Sequence, residues 1–159
     1  MIRPAVIDDL EFLASANERM AVETEHKTLV PATIRAGVGR VLADGQLGRY
    51  FVAEEDGRAV GCLLITYEWS DWRNGMFWWV QSVFVEPAYR GRGVYRGLYA
   101  AVKELAAAEG GCCGFRLYVE KDNARAQQTY ERLGMSATDY LMFEAPLADN
   151  PSRDELRLD

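Results

Sequence analysis

Three arginines and two glycines crowd one short stretch of this chain, Arg90-Gly91-Arg92-Gly93-Val94-Tyr95-Arg96. Glycine has no side chain to hold a ligand off the backbone, and arginine supplies charge. The apolar run Val83-Phe84-Val85 stands just before it, and Pro87 stops that run because proline cannot donate to a ladder. From Val94 onward the apolar residues Val94, Leu98, Val102 and Leu105 recur at helical spacing. A strand therefore runs through a glycine-rich loop into a helix whose first N–H groups and positive dipole end point at the loop. For glycines alone, a tight connection would explain as much. With basic charge concentrated there in a chain of net charge −6, the stretch reads as an anion site, most naturally for phosphate.

Two common phosphate motifs do not fit. The dinucleotide fingerprint needs a third glycine one residue before Gly97, and no Gly-Lys-Ser/Thr of a P-loop occurs. The stretch instead resembles the signature of the GNAT superfamily, the acetyl-CoA-dependent N-acetyltransferases. In that family a strand ending in a Val-x-Pro-like turn runs into Arg-Gly-x-Gly, here Val85-Glu86-Pro87 followed by Arg90-Gly91-Arg92-Gly93-Val94. Tyr95 stands where the family places a small residue. A second segment, Asn123-Ala124-Arg125-Ala126-Gln127-Gln128-Thr129-Tyr130-Glu131-Arg132-Leu133-Gly134-Met135, resembles the family's N-x-x-A-x-x-x-Y-x-x-x-G-[FM] pattern. Taken alone, Tyr130 would be an ordinary tyrosine on a helix face.

The resemblance implies acetyl transfer from acetyl-CoA, as co-substrate and without a metal, to a primary amine. It implies that Arg90 to Arg96 grip the CoA pyrophosphate and that Asn123 contacts the CoA arm. It implies too that backbone groups of Val83, Phe84 and Val85 pair with pantetheine, and that Tyr130 lies near the sulfur as general acid. Relatives often carry a glutamate where this chain has Gln81, which cannot be a base. Glu68 is the first candidate to replace it, with Glu23, Glu25 and His26 as others. Glu25, Trp79 and Gln81 are expected along the acceptor site. Trp69, Trp72, Trp78 and Trp79 cluster with Tyr67 and Phe77. They suit an aromatic acceptor pocket and a core or homodimer surface equally well. The strand period puts Trp79 and Gln81 on the face of Val83. Gln81 also supports a second reading, a non-catalytic acyl-CoA sensor or interaction module.

The elements that must position these groups follow from periodicity and punctuation. A short strand is expected at Ile2 to Val6, a helix from about Asp9 to Val22, a loop at Glu23 to Thr28, and a helix from Pro31 to near Gly45. Tyr50 to Glu54 and Val60 to Tyr67 read as strands joined by the Asp56-Gly57 turn, with Gly61 a weak point or bulge. Met76 to Val85 is the central strand, and the phosphate-loop helix ends at Gly110-Gly111. Phe115 to Glu120 is a strand beside the central one, Asn123 to Gly134 a helix, and Thr138 to Ala145 a final strand; the one further strand that most family members add is expected to be shortened here or supplied by a partner chain. The order β-α-α-β-β-β-α-β-α-β resembles the GNAT fold: an α/β (α+β) domain with a mixed, mostly antiparallel sheet flanked by helices. A single domain is expected over residues 1–145, with a polar tail over 146–159.

Composition bounds the function classes. With 159 residues, 49% apolar and 26% charged, the chain is an ordinary globular protein by size and balance. Its acidity argues against nucleic-acid binding, and no apolar run suggests a membrane span. The first residues show no signal-peptide h-region, and Cys62, Cys112 and Cys113 form no framework. A cytoplasmic protein with free thiols is expected. One histidine, His26, cannot build a histidine-rich metal site.

Overall fold

The computed structural model describes residues 1–145. Two compact units divide the chain, Met1–Tyr118 and a second that starts at Val119. The tail expected over 146–159 lies outside the described residues.

In the first unit, β1 (Ile2–Pro4), β2 (Arg49–Glu55), β3 (Arg58–Ser70), β4 (Gly75–Val85) and β5 (Cys112–Arg116) form one sheet in chain order. All neighbours are antiparallel except β4 and β5, which run parallel. Asp56 and Gly57 both take positive φ, 52° and 72°, which gives the tight turn between β2 and β3 the twist its strands need.

Helices α1 (Leu10–Glu25) and α2 (Pro31–Ala43) cover one face. Their Leu13, Ala16 and Val38 close on Tyr50, Val52, Cys62, Leu64 and Phe84. Helix α3 (Val94–Glu109) buries Leu98, Tyr99, Val102 and Ala106 against the other face, where Tyr99 meets Phe115 edge-on at 5.5 Å. Full burial of Leu13, Leu63, Ile65 and Leu98 stabilises by about 1.5–3 kcal/mol each. Helix α1 runs three residues beyond the expected Val22, until His26 turns left-handed at φ 54°.

Gly61 is a point of close approach between layers. A Cβ there would stand 2.9 Å from Val94 Cγ1 and 3.1 Å from the Phe84 carbonyl oxygen. Only glycine lets the first turn of α3 lie this near β3.

In the second unit, α4 (Ala124–Arg132) starts at Asn123, whose side-chain oxygen accepts the Ala126 N–H at 3.1 Å. Gly134, at φ 87°, follows its end. Residues 138–145 form no strand among the described residues, contrary to expectation, and Tyr140, Leu141, Met142 and Phe143 are exposed. The fifth strand is also displaced, to Cys112–Arg116 rather than Phe115 to Glu120. Its ladder begins where Met76 opposes Cys112 and ends where Trp79 opposes Arg116.

Candidate active site

Between β4 and α3 the chain makes one 3-10 turn at Pro87–Tyr89 and then the turn Arg90 to Gly93. Gly91 and Gly93 take φ of 80° and 83°, conformations that would strain any residue with a Cβ. Gly93 is the N-cap of α3, and no side chain caps that end. The positive dipole end of α3 thus opens on the glycine turn, the setting an anion prefers.

The three arginines divide their tasks. Arg92 lies over the Tyr89 ring at 5.2 Å, and Arg96 folds back over Gly93, near enough that a Cβ there would meet its guanidinium at 3.4 Å. Arg90 is tied into the protein itself. It donates to the Val85 carbonyl at 2.8 Å and to Glu23 of α1 at 2.6 Å. Beside it, Arg19 forms a two-pronged pair with Glu86 at 2.7 and 2.9 Å, and both guanidiniums flank the Phe84 ring. The clamp that joins α1 to the loop was not legible in the sequence, because Arg19 and Glu86 lie far apart in the chain.

Strand β4 carries two irregularities just before the loop. Opposite β3, Gln81 faces Leu64 and Phe84 faces Cys62, so β4 holds one extra residue there. Ser82 sits at φ 48°, a β-bulge. The extra residue puts Phe84, not Val83, on the face of Gln81, which corrects the simple alternation. On its other side β4 pairs with β5 only as far as Trp79 and Arg116. Among the described residues no strand pairs with that edge from Val80 to Val85, so Val83 to Val85 lie on an open backbone edge.

Gln81, Thr66, Trp79 and Glu68 share a face, and each is engaged. The Gln81 amide donates to the Thr66 hydroxyl at 2.7 Å. The Trp79 indole N–H donates to Glu68 at 2.5 Å, and Arg116 donates to the same carboxylate at 2.8 and 3.0 Å. The indole N–H and the Arg116 guanidinium hold the Glu68 carboxyl below its usual range. A carboxylate so held is a weaker proton acceptor than the sequence reading supposed. Glu25, at the end of α1, is exposed and paired with Lys27 at 3.1 Å.

Asn123 and Tyr130 belong to the second unit. The Asn123 oxygen is the helix cap already described. Burial pushes the Tyr130 phenol above its ordinary value of 10.0, which keeps it protonated through neutral pH.

A depression of about 400 Å³ lies at the other end of α3, lined by Arg49, Tyr67, Trp78 and Glu109. Its charges are matched, with Arg49 on Glu109 at 2.5 and 2.9 Å. Among the described residues no His, Cys, Asp and Glu cluster could hold a metal, and no helix is long and apolar enough to cross a membrane.

The model of the Acetyltransferase (GNAT) family matches residues 12–135. A crystal structure of a possible acetyltransferase from Clostridium difficile 630 superimposes with a TM-score of 0.86 at 41% identity, covering 92% of this chain and 97% of that one. The aminoglycoside acetyltransferase AAC(6')-Iy, solved with a bisubstrate analog of CoA and acetylneamine, shares the fold at a TM-score of 0.74 and 22% identity, over 93% of this chain and 98% of its own. Thialysine N-epsilon-acetyltransferase from Bos taurus is 35% identical over 75 residues, which are 47% of this chain and 43% of the curated relative.

Proposed function

The chain belongs to the GNAT acetyltransferase family, and from that membership we propose that it moves an acetyl group from acetyl-CoA to a primary amine by direct attack. One observation carries the reading. An uncapped helix N-terminus bounded by two left-handed glycines directly follows a strand with an open backbone edge. The donors fit a pyrophosphate, with Arg92 and Arg96 adding charge, while Arg90 holds the loop to α1. Gly91, Gly93, Val94 and Tyr95 supply the backbone of that cradle. Val83, Phe84 and Val85 offer N–H and C=O groups to the amide-bearing arm of the acyl donor. The family resemblance assigns Asn123, its oxygen fixed as a cap, to the CoA arm as well.

In the reaction the amine nitrogen bonds to the carbonyl carbon as the carbon–sulfur bond breaks. Backbone N–H groups along β4 meet the charge that builds on the carbonyl oxygen. The leaving thiolate takes the proton of the Tyr130 hydroxyl, which burial keeps in place. The amine gives its own proton to water, since Gln81 is no base and Glu68 is held by Trp79 and Arg116, and water returns a proton to the Tyr130 phenolate. Trp79 and Gln81 line the acceptor side, and Glu25 stands at the end of α1.

Tyr130→Phe tests the assignment. Turnover falls at least about tenfold, near 1.4 kcal/mol of barrier, while CoA affinity stays near wild type; wild-type turnover refutes it. Gln81 in place of a base, with Glu68 engaged by Trp79 and Arg116, also supports a second reading, an acyl-CoA sensor. Stabilisation by acetyl-CoA without thiol release on any amine would select that reading.

A further inference from the structure

The ladder between β4 and β5 ends where Trp79 opposes Arg116, and a cross-tie of side chains sits on that last rung. Glu68 projects from β3, opposite Phe77 of β4. Its carboxylate receives the Trp79 indole N–H and the Arg116 guanidinium together, so one side chain ties three strands. The Arg116 guanidinium carbon also lies over Phe77, 3.7 Å from the ring centroid. The Gln81–Thr66 bond continues the tie toward the bulge at Ser82. Beyond the rung, β4 goes on to Val85 with no strand on that edge among the described residues.

We propose that Glu68, Trp79 and Arg116 act as a staple that fixes where β5 parts from β4, and so decides which backbone groups of β4 remain open to the acyl donor. The side chains of Glu68 and Arg116 are 42% and 31% exposed. A pair so placed adds little global stability. Its geometry is nonetheless tightly defined, because a planar guanidinium that lies over a ring and is bonded to a carboxylate has few alternative positions. Cross-strand pairs on one face set strand register in the same way. The staple therefore positions the site without touching the reacting atoms. This inference rests on the acetyl-transfer reading for its consequence in catalysis, but the position of the last rung is measurable without it.

Backbone hydrogen exchange and steady-state kinetics on Glu68→Ala, with Glu68→Gln as the conservative variant, test the proposal. In Glu68→Ala the amide protection at Arg116 falls at least tenfold, while the β3–β4 rungs near Leu64 keep theirs. The KM for acetyl-CoA rises about tenfold and kcat falls, with the shape of the pH–rate profile retained. Glu68→Gln still accepts the indole N–H and recovers part of both effects. Unchanged protection at that rung overturns the proposal, whatever the wild type binds. Loss of one limb of the pH–rate profile in both variants, with the KM for acetyl-CoA unchanged, also overturns it and makes Glu68 a base. A wild-type protein that does not bind CoA refutes the functional reading instead, and the exchange result still decides the staple.

Discussion

Replacing Gly61 with alanine puts a methyl group where two elements already touch. The added carbon meets Val94 Cγ1 at 2.9 Å, the Phe84 carbonyl oxygen at 3.1 Å and Val85 Cγ2 at 3.5 Å. The carbonyl belongs to the β3–β4 ladder and cannot rotate away, so Val94 must yield. Val94 is the first residue of α3, and the turn it opens carries the proposed phosphate donors. Overpacking of this kind costs about 1–3 kcal/mol. At about 2–4 °C per kcal/mol for a domain of this size, the melting temperature falls by about 2–12 °C. Displaced N–H groups should also weaken CoA binding at least about tenfold, or 1.4 kcal/mol. Gly37 is the control. It lies on the exposed side of α2 with nothing within 4 Å of an added Cβ, and Gly37→Ala should stabilise by about 0.8–1 kcal/mol through helix propensity. Thermal melts and CoA titration calorimetry on the two variants decide the matter. A Gly61→Ala protein that melts with the wild type would refute the contact between β3 and the start of α3.

Three further outcomes follow from the charged and buried groups. Asp9 is held below its ordinary 3.8, chiefly by hydrogen bonds from Arg3, with further help from the Val6 N–H. Its contribution is present above the unfolded value and is lost as pH falls through the lower folded value. Asp9→Asn should therefore cost about 1–3 kcal/mol in urea unfolding at pH 7 and much less near pH 2; an equal loss at both would contradict the pairing. Burial pushes the Cys62 thiol up to about 12, so thiolate is scarce at pH 8. Alkylation mapped by mass spectrometry should find Cys62 unmodified until unfolding. Because the Tyr130 phenol is raised by burial, the alkaline fall in kcat should lie above pH 10, about the ordinary tyrosine value. It should vanish in Tyr130→Phe; a tyrosine-dependent fall centred below pH 9 would exclude the general-acid role.

Much of the fold was readable because its signals are local. Asp56-Gly57 specifies its turn by the conformations those residues tolerate. Pro31 and Gly110 bound helices, and Asn123 caps one. The loop was readable too, since both glycines and the start of α3 sit within one short stretch. What escaped depends on long-range pairing. The bulge at Ser82 interrupts a continuous apolar run, where one inserted residue leaves no compositional trace. It nevertheless changes which of Val83 and Phe84 faces the α1 side. The bond from Arg90 to Glu23, 67 residues earlier, left no local trace either. Phe115, Leu117 and Val119 alternate like a strand, but β5 starts earlier, where Met76 offers a partner to Cys112. Thr138 to Ala145 has the residues of a strand but pairs with no strand among the described residues, and propensity alone does not make a ladder.

Thiol release from acetyl-CoA across a panel of primary amines, read beside the melting temperature in CoA, tests the account most directly. The account predicts that CoA at 100 times its dissociation constant stabilises the protein by about 2.7 kcal/mol, and that at least one amine gives steady release that Tyr130→Phe slows. A protein that shows neither a melting shift in CoA nor thiol release on any amine would contradict it.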